Sequence, residues 1–210
     1  DHRPEGSPNR AFDGNEPAQY YTMNVYDKPF EPNAEQSREL LHSAYAAMSY
    51  FDHEIGRILD ALDTAGLADD TIVVLTSDHG IAWGEHGKWG KHNLWEPSLA
   101  VPLLMAGPGV GEGTRVPALT EHVDVFPTLC ELCGLAQPSF LEGASAAPLL
   151  DDPNRPWKEA VFAAWRQNAS VRTGRYRYNE YHADDGGIVA TELYDYETDP
   201  HQTHNRAGDP

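Results

Sequence analysis

The sequence predicts an α/β protein in which a mainly parallel sheet is sandwiched by helices and followed by a smaller antiparallel subdomain. Three observations predict it. The run Thr71 to Thr76 (TIVVLT) is aliphatic and β-branched without polar alternation, the pattern of a strand covered on both faces in a parallel sheet. Ahead of it, Leu41, Tyr45, Met48, Ile55, Leu59 and Leu62 recur at helical spacing and form one apolar stripe. Beyond Trp157 the chain breaks into short strand-like segments separated by turn residues, as an antiparallel sheet requires.

Taken in order, Pro4, Pro8, Pro17, Pro29 and Pro32 interrupt every periodic pattern at the start, so residues 1–32 are expected to form an irregular surface segment. Residues 33–150 make the second unit. Asn33 with Gln36 reads as a helix capping box, and Gly66 as the stop. Asp52 falls in the apolar stripe and is expected to make a structural hydrogen bond on a buried face, whereas His42 and His53 fall on the outer surface. The strand Thr71–Thr76 ends in Ser77-Asp78-His79-Gly80. The loop that follows, to Lys91, has Gly80, Gly84, Gly87 and Gly90 to let backbone approach an anion, and Trp83 and Trp89 to anchor it. Within it, Glu85 and His86 are expected to make internal hydrogen bonds. Trp95 and Glu96 are expected to be structural, Val101 to Met105 a second buried strand, and Asp124 the cap of a helix reaching Leu135. Cys130 and Cys133 lie in that helix beside Leu129, Leu132 and Leu135, and both read as core filling. In the last unit, 151–210, Glu159–Trp165, Ser170–Thr173 and Arg175–Tyr181 read as strands, with a turn at Thr173-Gly174. The Arg and Tyr residues concentrated there (Arg166, Arg172, Arg175, Tyr176, Arg177, Tyr178, Tyr181) are expected to form a solvent-facing strand; the border of a pocket for a sulfated sugar is the second reading.

The formal net charge is −18, from 15 Lys and Arg against 33 Asp and Glu. Nucleic acid is thereby excluded as a partner, because its phosphates would be repelled and no basic run offsets the repulsion. Any anion bound here needs a local positive site. Two cysteines indicate neither a disulfide scaffold nor a zinc cluster. No apolar run approaches the roughly 20 residues of a membrane-spanning helix.

Strand ends are where α/β proteins place their chemistry. At this one the carboxylate of Asp78 adjoins the imidazole of His79, and both can reach one divalent cation if the backbone turns sharply at Gly80. The run Tyr45 to Pro108 has a helix, a strand ending SDHG, a loop ending WGKH and a strand beginning VPLL, in that order. It resembles the sulfatases of the alkaline phosphatase superfamily, in particular their iduronate-2-sulfatase and choline-sulfatase branch. The resemblance continues through Thr120–Leu135 (TEHVDVFPTLCELCGL) and Glu192–Asn205 (ELYDYETDPHQTHN). It implies an alkaline-phosphatase-like fold and hydrolysis of a sulfate ester. It also implies Asp78 and His79 as metal ligands, and Lys91 as the group that holds the sulfate and stabilises charge on the leaving oxygen. His92 beside it would be a second catalytic and substrate-binding residue, orienting the sulfate or donating a proton.

The metal implied by the resemblance is calcium. Because calcium takes about six to eight mainly oxygen ligands, an imidazole in the shell leaves manganese, magnesium or zinc open. Sulfatases of this type attack with a formylglycine made from the Cys or Ser of a Cys/Ser-x-Pro-x-Arg motif. No such motif surrounds Cys130 or Cys133, and no strand-end Asp-Asp pair supplies the remaining ligands. The chain is therefore expected to be the carboxyl-terminal part of a sulfatase, inactive alone, with the missing amino-terminal half and a sulfated small molecule or sugar as partners. A phosphonate monoester or phosphodiester hydrolase of the same superfamily is the alternative enzyme, and a non-catalytic carboxyl-terminal subunit or binding module the alternative outside catalysis. The resemblance favours a periplasmic, secreted or lysosome-like compartment, with the cytoplasm left open.

Overall fold

The computed structural model describes residues 3–8 and 32–209, so most of the segment expected to be irregular lies outside the described residues. Helix α1 (Ala34–Thr64) starts where the capping box predicts. Asn33 Oδ1 accepts the N–H groups of Glu35 and Gln36 at 2.9 and 3.0 Å, and Gln36 Oε1 accepts the Asn33 N–H at 2.9 Å. The chain leaves the helix at Gly66, whose φ of 67° is left-handed, and the Leu67 N–H returns to the Leu62 carbonyl at 3.2 Å. None of the residues of α1 is buried. Tyr45 and Met48 on its stripe are 71 % and 61 % exposed, and Asp52 is exposed as well, so the buried hydrogen bond expected of it has no buried face to occupy. The first turns do pack, Leu40 and Leu41 lying with Trp83 against Trp89. Among the described residues no helix is long and apolar enough to cross a membrane.

Strand β1 (Val73–Thr76) is followed by the short strands β2 (Ala82–Trp83) and β3 (Trp89–Gly90), which form a hairpin, and then by β4 (Leu103–Ala106). β1 pairs with β4, Val74 opposite Met105 and Leu75 opposite Leu104. That pairing is antiparallel, and no parallel pair of this sheet occurs among the described residues. Both strands are partly exposed among the described residues rather than covered on two faces. Three short helices accompany these strands: α2 (Glu96–Leu99) between β3 and β4, and α3 (Val125–Leu132) and α4 (Ala147–Asp151) after β4. Cys130 is buried in α3, but Cys133 lies just past its last turn and is exposed, so only the first fills the core.

Asp124 stands at the entrance to α3, but its side chain makes none of the capping hydrogen bonds expected of it there. It is buried, its Oδ2 accepting the Glu121 N–H and its Oδ1 the Ala144 N–H, each at 2.9 Å, while the Lys158 ammonium donates to both oxygens at 2.7 and 2.9 Å. Burial alone would lower the Lys158 pKa, but hydrogen bonds to Asp124 and Glu121 outweigh it and hold the ammonium above its ordinary value. The entrance to α3 is thus tied to the chain that leads into the last sheet.

That sheet is an antiparallel meander of β5 (Ala160–Trp165), β6 (Asn168–Thr173), β7 (Tyr176–His182) and β8 (Ile188–Asp195). β8 adds a fourth strand to the three expected. The inward side is polar. Arg177, Asn179 and Tyr181 of β7 and Glu192 and Tyr194 of β8 are buried. This corrects the expectation of a solvent-facing strand, since alternation along β7 turns Arg177 and Tyr181 inward and leaves Tyr176 outside. Glu192 is the centre of this face. Trp95 Nε1, Asn179 Nδ2 and the Tyr181 hydroxyl donate to its Oε2 at 3.2, 3.0 and 2.7 Å. The Tyr194 hydroxyl, at 2.9 Å, and the Ser7 hydroxyl donate to its Oε1. Burial first, and the neighbouring carboxylate second, push both phenols well above their ordinary pKa. Trp95, as expected structural, belongs with Leu94, Tyr181 and Tyr194 to the apolar cluster against which Leu99 and Trp165 pack.

Candidate functional site

β1 delivers Ser77, Asp78 and His79 to its end, and Gly80 fixes how they leave. The Gly80 N–H donates to the Ser98 carbonyl at 2.9 Å, and a Cβ there would stand 2.2 Å from the carbonyl oxygen of Pro97. Gly80 is therefore required by close approach to α2, not by the sharp turn that its sequence position suggested. From the other side, His122 Nε2 donates to the Ser77 carbonyl at 2.8 Å, a strand-end tie that the sequence reading did not assign.

His79 Nδ1 lies 2.8 Å from the Gly80 carbonyl. A carbonyl only accepts, so Nδ1 carries the proton and Nε2 presents its lone pair, a tautomer assigned from its partners. That lone pair faces Asp78 Oδ2 at 3.3 Å and the Lys91 Nζ at 2.9 Å. Three of the four predicted residues therefore meet directly. Asp78 has a largely exposed side chain and also accepts the His79 N–H at 3.1 Å. His92 diverges from Lys91: its ring stacks on Trp165 of β5, with centroids 5.1 Å apart and planes 27° apart. All four residues nevertheless line one broad cavity of about 1250 Å³.

The loop between them is held from within. Ala82 pairs with Gly90 and Trp83 with Trp89 across the hairpin. The Glu85 carboxylate accepts the Trp83 N–H, the internal bond expected of it. His86 is buried with its ring 4.9 Å from that of Trp95, and burial holds its imidazole below the ordinary 6.5 against the opposing pull of Glu192, Glu85 and Asp199.

The donor chemistry at the strand end suits two positions of a divalent shell. Asp78 Oδ2 and the His79 Nε2 lone pair are two acceptors turned toward each other with the Lys91 ammonium beside them, an arrangement a cation can bridge, and the Nδ1–H to carbonyl bond behind the ring is the orienting contact metal-binding imidazoles use. Among the described residues no group of three or more His, Cys, Asp or Glu side chains is placed to hold a metal. Further ligands would have to come from beyond them.

The cavity also has Trp165 of β5 and Glu96 of α2, which the sequence did not single out for the site, and Arg172 of β6 and Arg177 of β7, for which a pocket border was the second reading. The concentration of Arg and Tyr was visible in the sequence; the strand register that turns Arg177 inward was not.

A family profile described as Sulfatase matches residues 11–135, and one described as N-sulphoglucosamine sulphohydrolase, C-terminal, matches residues 84–210. A sulfatase of Formosa agariphila is 34 % identical over 193 residues, 88 % of this chain and 37 % of the relative. Arylsulfatase K of Mus musculus is 34 % identical over 200 residues, 89 % of this chain and 35 % of the relative. The chain thus spans little more than a third of the length of the curated relatives it matches. Among solved structures, a protein in complex with its substrate D-glucosamine-2-N,6-O-disulfate superimposes with a TM-score of 0.70 at 30 % identity, over 75 % of this chain and 34 % of the other. A phosphonate monoester hydrolase from Silicibacter pomeroyi gives 0.79 at 26 % identity, over 96 % and 43 %.

Proposed function

The chain belongs to the sulfatase family, and from that premise we propose that it is the carboxyl-terminal part of a hydrolase that cleaves sulfate esters of a small molecule or sugar. The remainder of the enzyme would be its partner, covering the exposed stripe of α1 and contributing the nucleophile, a formylglycine, and the other metal ligands. Asp78 and His79 would hold a divalent cation, calcium in the first place, with manganese, magnesium and zinc as alternatives. When bound, that cation would polarise the sulfate. One observation carries the reading: the His79 lone pair faces the Asp78 carboxylate at 3.3 Å and the Lys91 ammonium at 2.9 Å on the wall of an open cavity.

The roles of the side chains follow from their contacts. The Gly80 carbonyl keeps the His79 ring in the tautomer that offers Nε2, and His122 keeps the strand end in place. Lys91 brings three N–H donors and a positive charge to an otherwise acidic chain, suited to gripping sulfate oxygens and steadying charge on the leaving alkoxide. His92, fixed against Trp165, would orient the ester farther along the same wall.

In a complete enzyme carrying this sequence, Asp78→Ala should lower metal content by elemental analysis and 4-nitrophenyl sulfate hydrolysis together. Lys91→Ala should leave the metal bound and lower kcat by about 10²- to 10³-fold, the usual loss for one electrostatic donor. Full metal occupancy in the first variant, or unchanged kinetics in the second, would refute the assignment. The coverage of 96 % of this chain by a phosphonate monoester hydrolase supports a second reading in which the same groups act on a phosphonate ester. Faster turnover of a phenyl phosphonate monoester than of the aryl sulfate would select it.

A further inference from the structure

Nothing in the chemistry above calls on Arg172. It stands on β6 opposite Arg177 of β7 and Val161 of β5, and its guanidinium lies 3.7 Å over the ring of Tyr196. The side chain is 13 % exposed and forms part of the wall of the cavity shared with Asp78, His79, Lys91 and His92. Its Nε and Nη1 atoms are buried and have no hydrogen-bond partner among the described residues.

Glu96 offsets its charge only in part, as a long ion pair without a hydrogen bond. The Glu96 Oε2 is 3.9 Å from Arg172 Nε, beyond hydrogen-bond reach. The same oxygen accepts Arg177 Nη2 and, at 2.9 Å, the Tyr196 hydroxyl. Arg177 is otherwise satisfied, donating to the Ser170 hydroxyl at 2.9 Å and to the Tyr196 oxygen at 3.0 Å. One carboxylate shared between two guanidiniums leaves a positive charge over. Acidic side chains outnumber basic ones 33 to 15 in this chain, yet none is hydrogen-bonded to this guanidinium among the described residues. Two buried guanidinium donors without a partner on a cavity wall are costly unless something that enters the cavity pairs with them.

The wall is continuous from the strand end to this point. His92, next to Lys91, stacks on Trp165 of β5, and β5 pairs with β6 along its length. Resting on the sulfatase reading, we propose that Arg172 recognises a second anionic group on the substrate, so that the substrate carries a carboxylate, sulfate or sulfamate besides the ester that is cleaved. The scissile sulfate belongs at the Lys91 end and the second anion at Arg172. The substrate class is then a sulfate ester of an alcohol that carries a further negative charge, since a neutral alcohol would leave Arg172 unpaired and a cationic one would meet a like charge.

The test is equilibrium binding, measured by calorimetry on the complete enzyme with its nucleophile replaced by alanine, so that ligands are not consumed. Two pairs of probes are used: glucosamine 2-N,6-O-disulfate against glucosamine 6-sulfate, and a sulfated uronic acid against its methyl ester. The doubly charged member of at least one pair should bind about ten- to a hundred-fold tighter, the range for a charge-assisted hydrogen bond. A preference in the first pair identifies a sulfate or sulfamate, and in the second a carboxylate. Arg172→Gln should abolish the preference and Arg172→Lys should restore part of it, at an unchanged unfolding midpoint. The proposal is overturned by equal binding within both pairs, which needs no variant, or by a preference that survives in folded Arg172→Gln. Hydrolysis of 4-nitrophenyl sulfate by the unaltered enzyme tests the sulfatase reading separately. If no ester is hydrolysed but the preference and its loss hold, that reading falls and the anion site stands; if the ester is hydrolysed without any preference, the anion site alone falls.

Discussion

The four-stranded sheet β5–β8 and the helix α1 invert the usual relation between side-chain type and burial. The sheet encloses a polar face whose central carboxylate, Glu192, receives five donors from within the chain. The helix carries the longest apolar stripe of the sequence, and none of its residues is buried. Burial follows from what lies opposite, and hydropathy alone does not decide it. Glu192 is buried because three separate stretches of chain, around Ser7, Trp95 and Asn179–Tyr194, bring it donors; Tyr45 and Met48 stay exposed because no described element faces them.

The sharpest way to break this contrast is to remove its polar centre. Glu192→Ala leaves the hydroxyls of Ser7, Tyr181 and Tyr194, the Trp95 indole N–H and the Asn179 amide without their common acceptor. The expected loss is about 3–5 kcal/mol, the scale for removing one member of a buried polar network. Glu192→Gln keeps one acceptor oxygen and should lose about 1–3 kcal/mol. Both are read as shifts in the urea midpoint at constant m-value. A midpoint unmoved in Glu192→Ala would mean that the sheet is held by its apolar cluster alone.

The exposed stripe gives the converse test. In the chain as described, Met48→Ala should change stability by no more than about 0.5 kcal/mol, as surface substitutions do. In a complete enzyme, where the proposed remainder of the family domain covers α1, the same change should cost about 2–5 kcal/mol. Equal, small effects in both settings would show that the stripe has no covering partner.

The two regions also differ in how far they could be read from sequence. What was legible is local. The Asn33–Gln36 capping box, the strand at Val73–Thr76 and the meeting of Asp78 with His79 all depend on neighbours within a few residues. Lys91 was reached through the family resemblance, and its position against His79 could not have been read from spacing. What was illegible depends on register and long-range pairing. Arg177 faces inward because β7 sits in one register against β6 and β8, and a shift of one residue would have exposed it. Glu192 looks like an ordinary acidic residue in a tail, since its donors lie as far away in sequence as Ser7. Cys133 departs from the expectation for a local reason: α3 stops at Leu132, three residues before the helical pattern ends at Leu135.

His86 offers the smallest and most selective test, because it lies where the hairpin β2–β3 meets the buried face of the small sheet. Its ring packs against Trp95, and burial lowers its pKa below the 6.5 of an unfolded chain, the opposing attraction of Glu192, Glu85 and Asp199 being the weaker influence. The sign follows from proton linkage. With the folded value below the unfolded one, the unfolded chain binds the proton more readily, so this contribution to stability is complete above about pH 6.5 and is lost as pH falls through the folded value. The unfolding midpoint of the native sequence should therefore decline between neutral and mildly acidic pH more steeply than that of His86→Gln, which has nothing to titrate. Parallel curves would mean that the hairpin opens enough to hydrate the imidazole. In that case the contact between the loop carrying Lys91 and the small sheet would be looser than the 4.9 Å ring separation indicates.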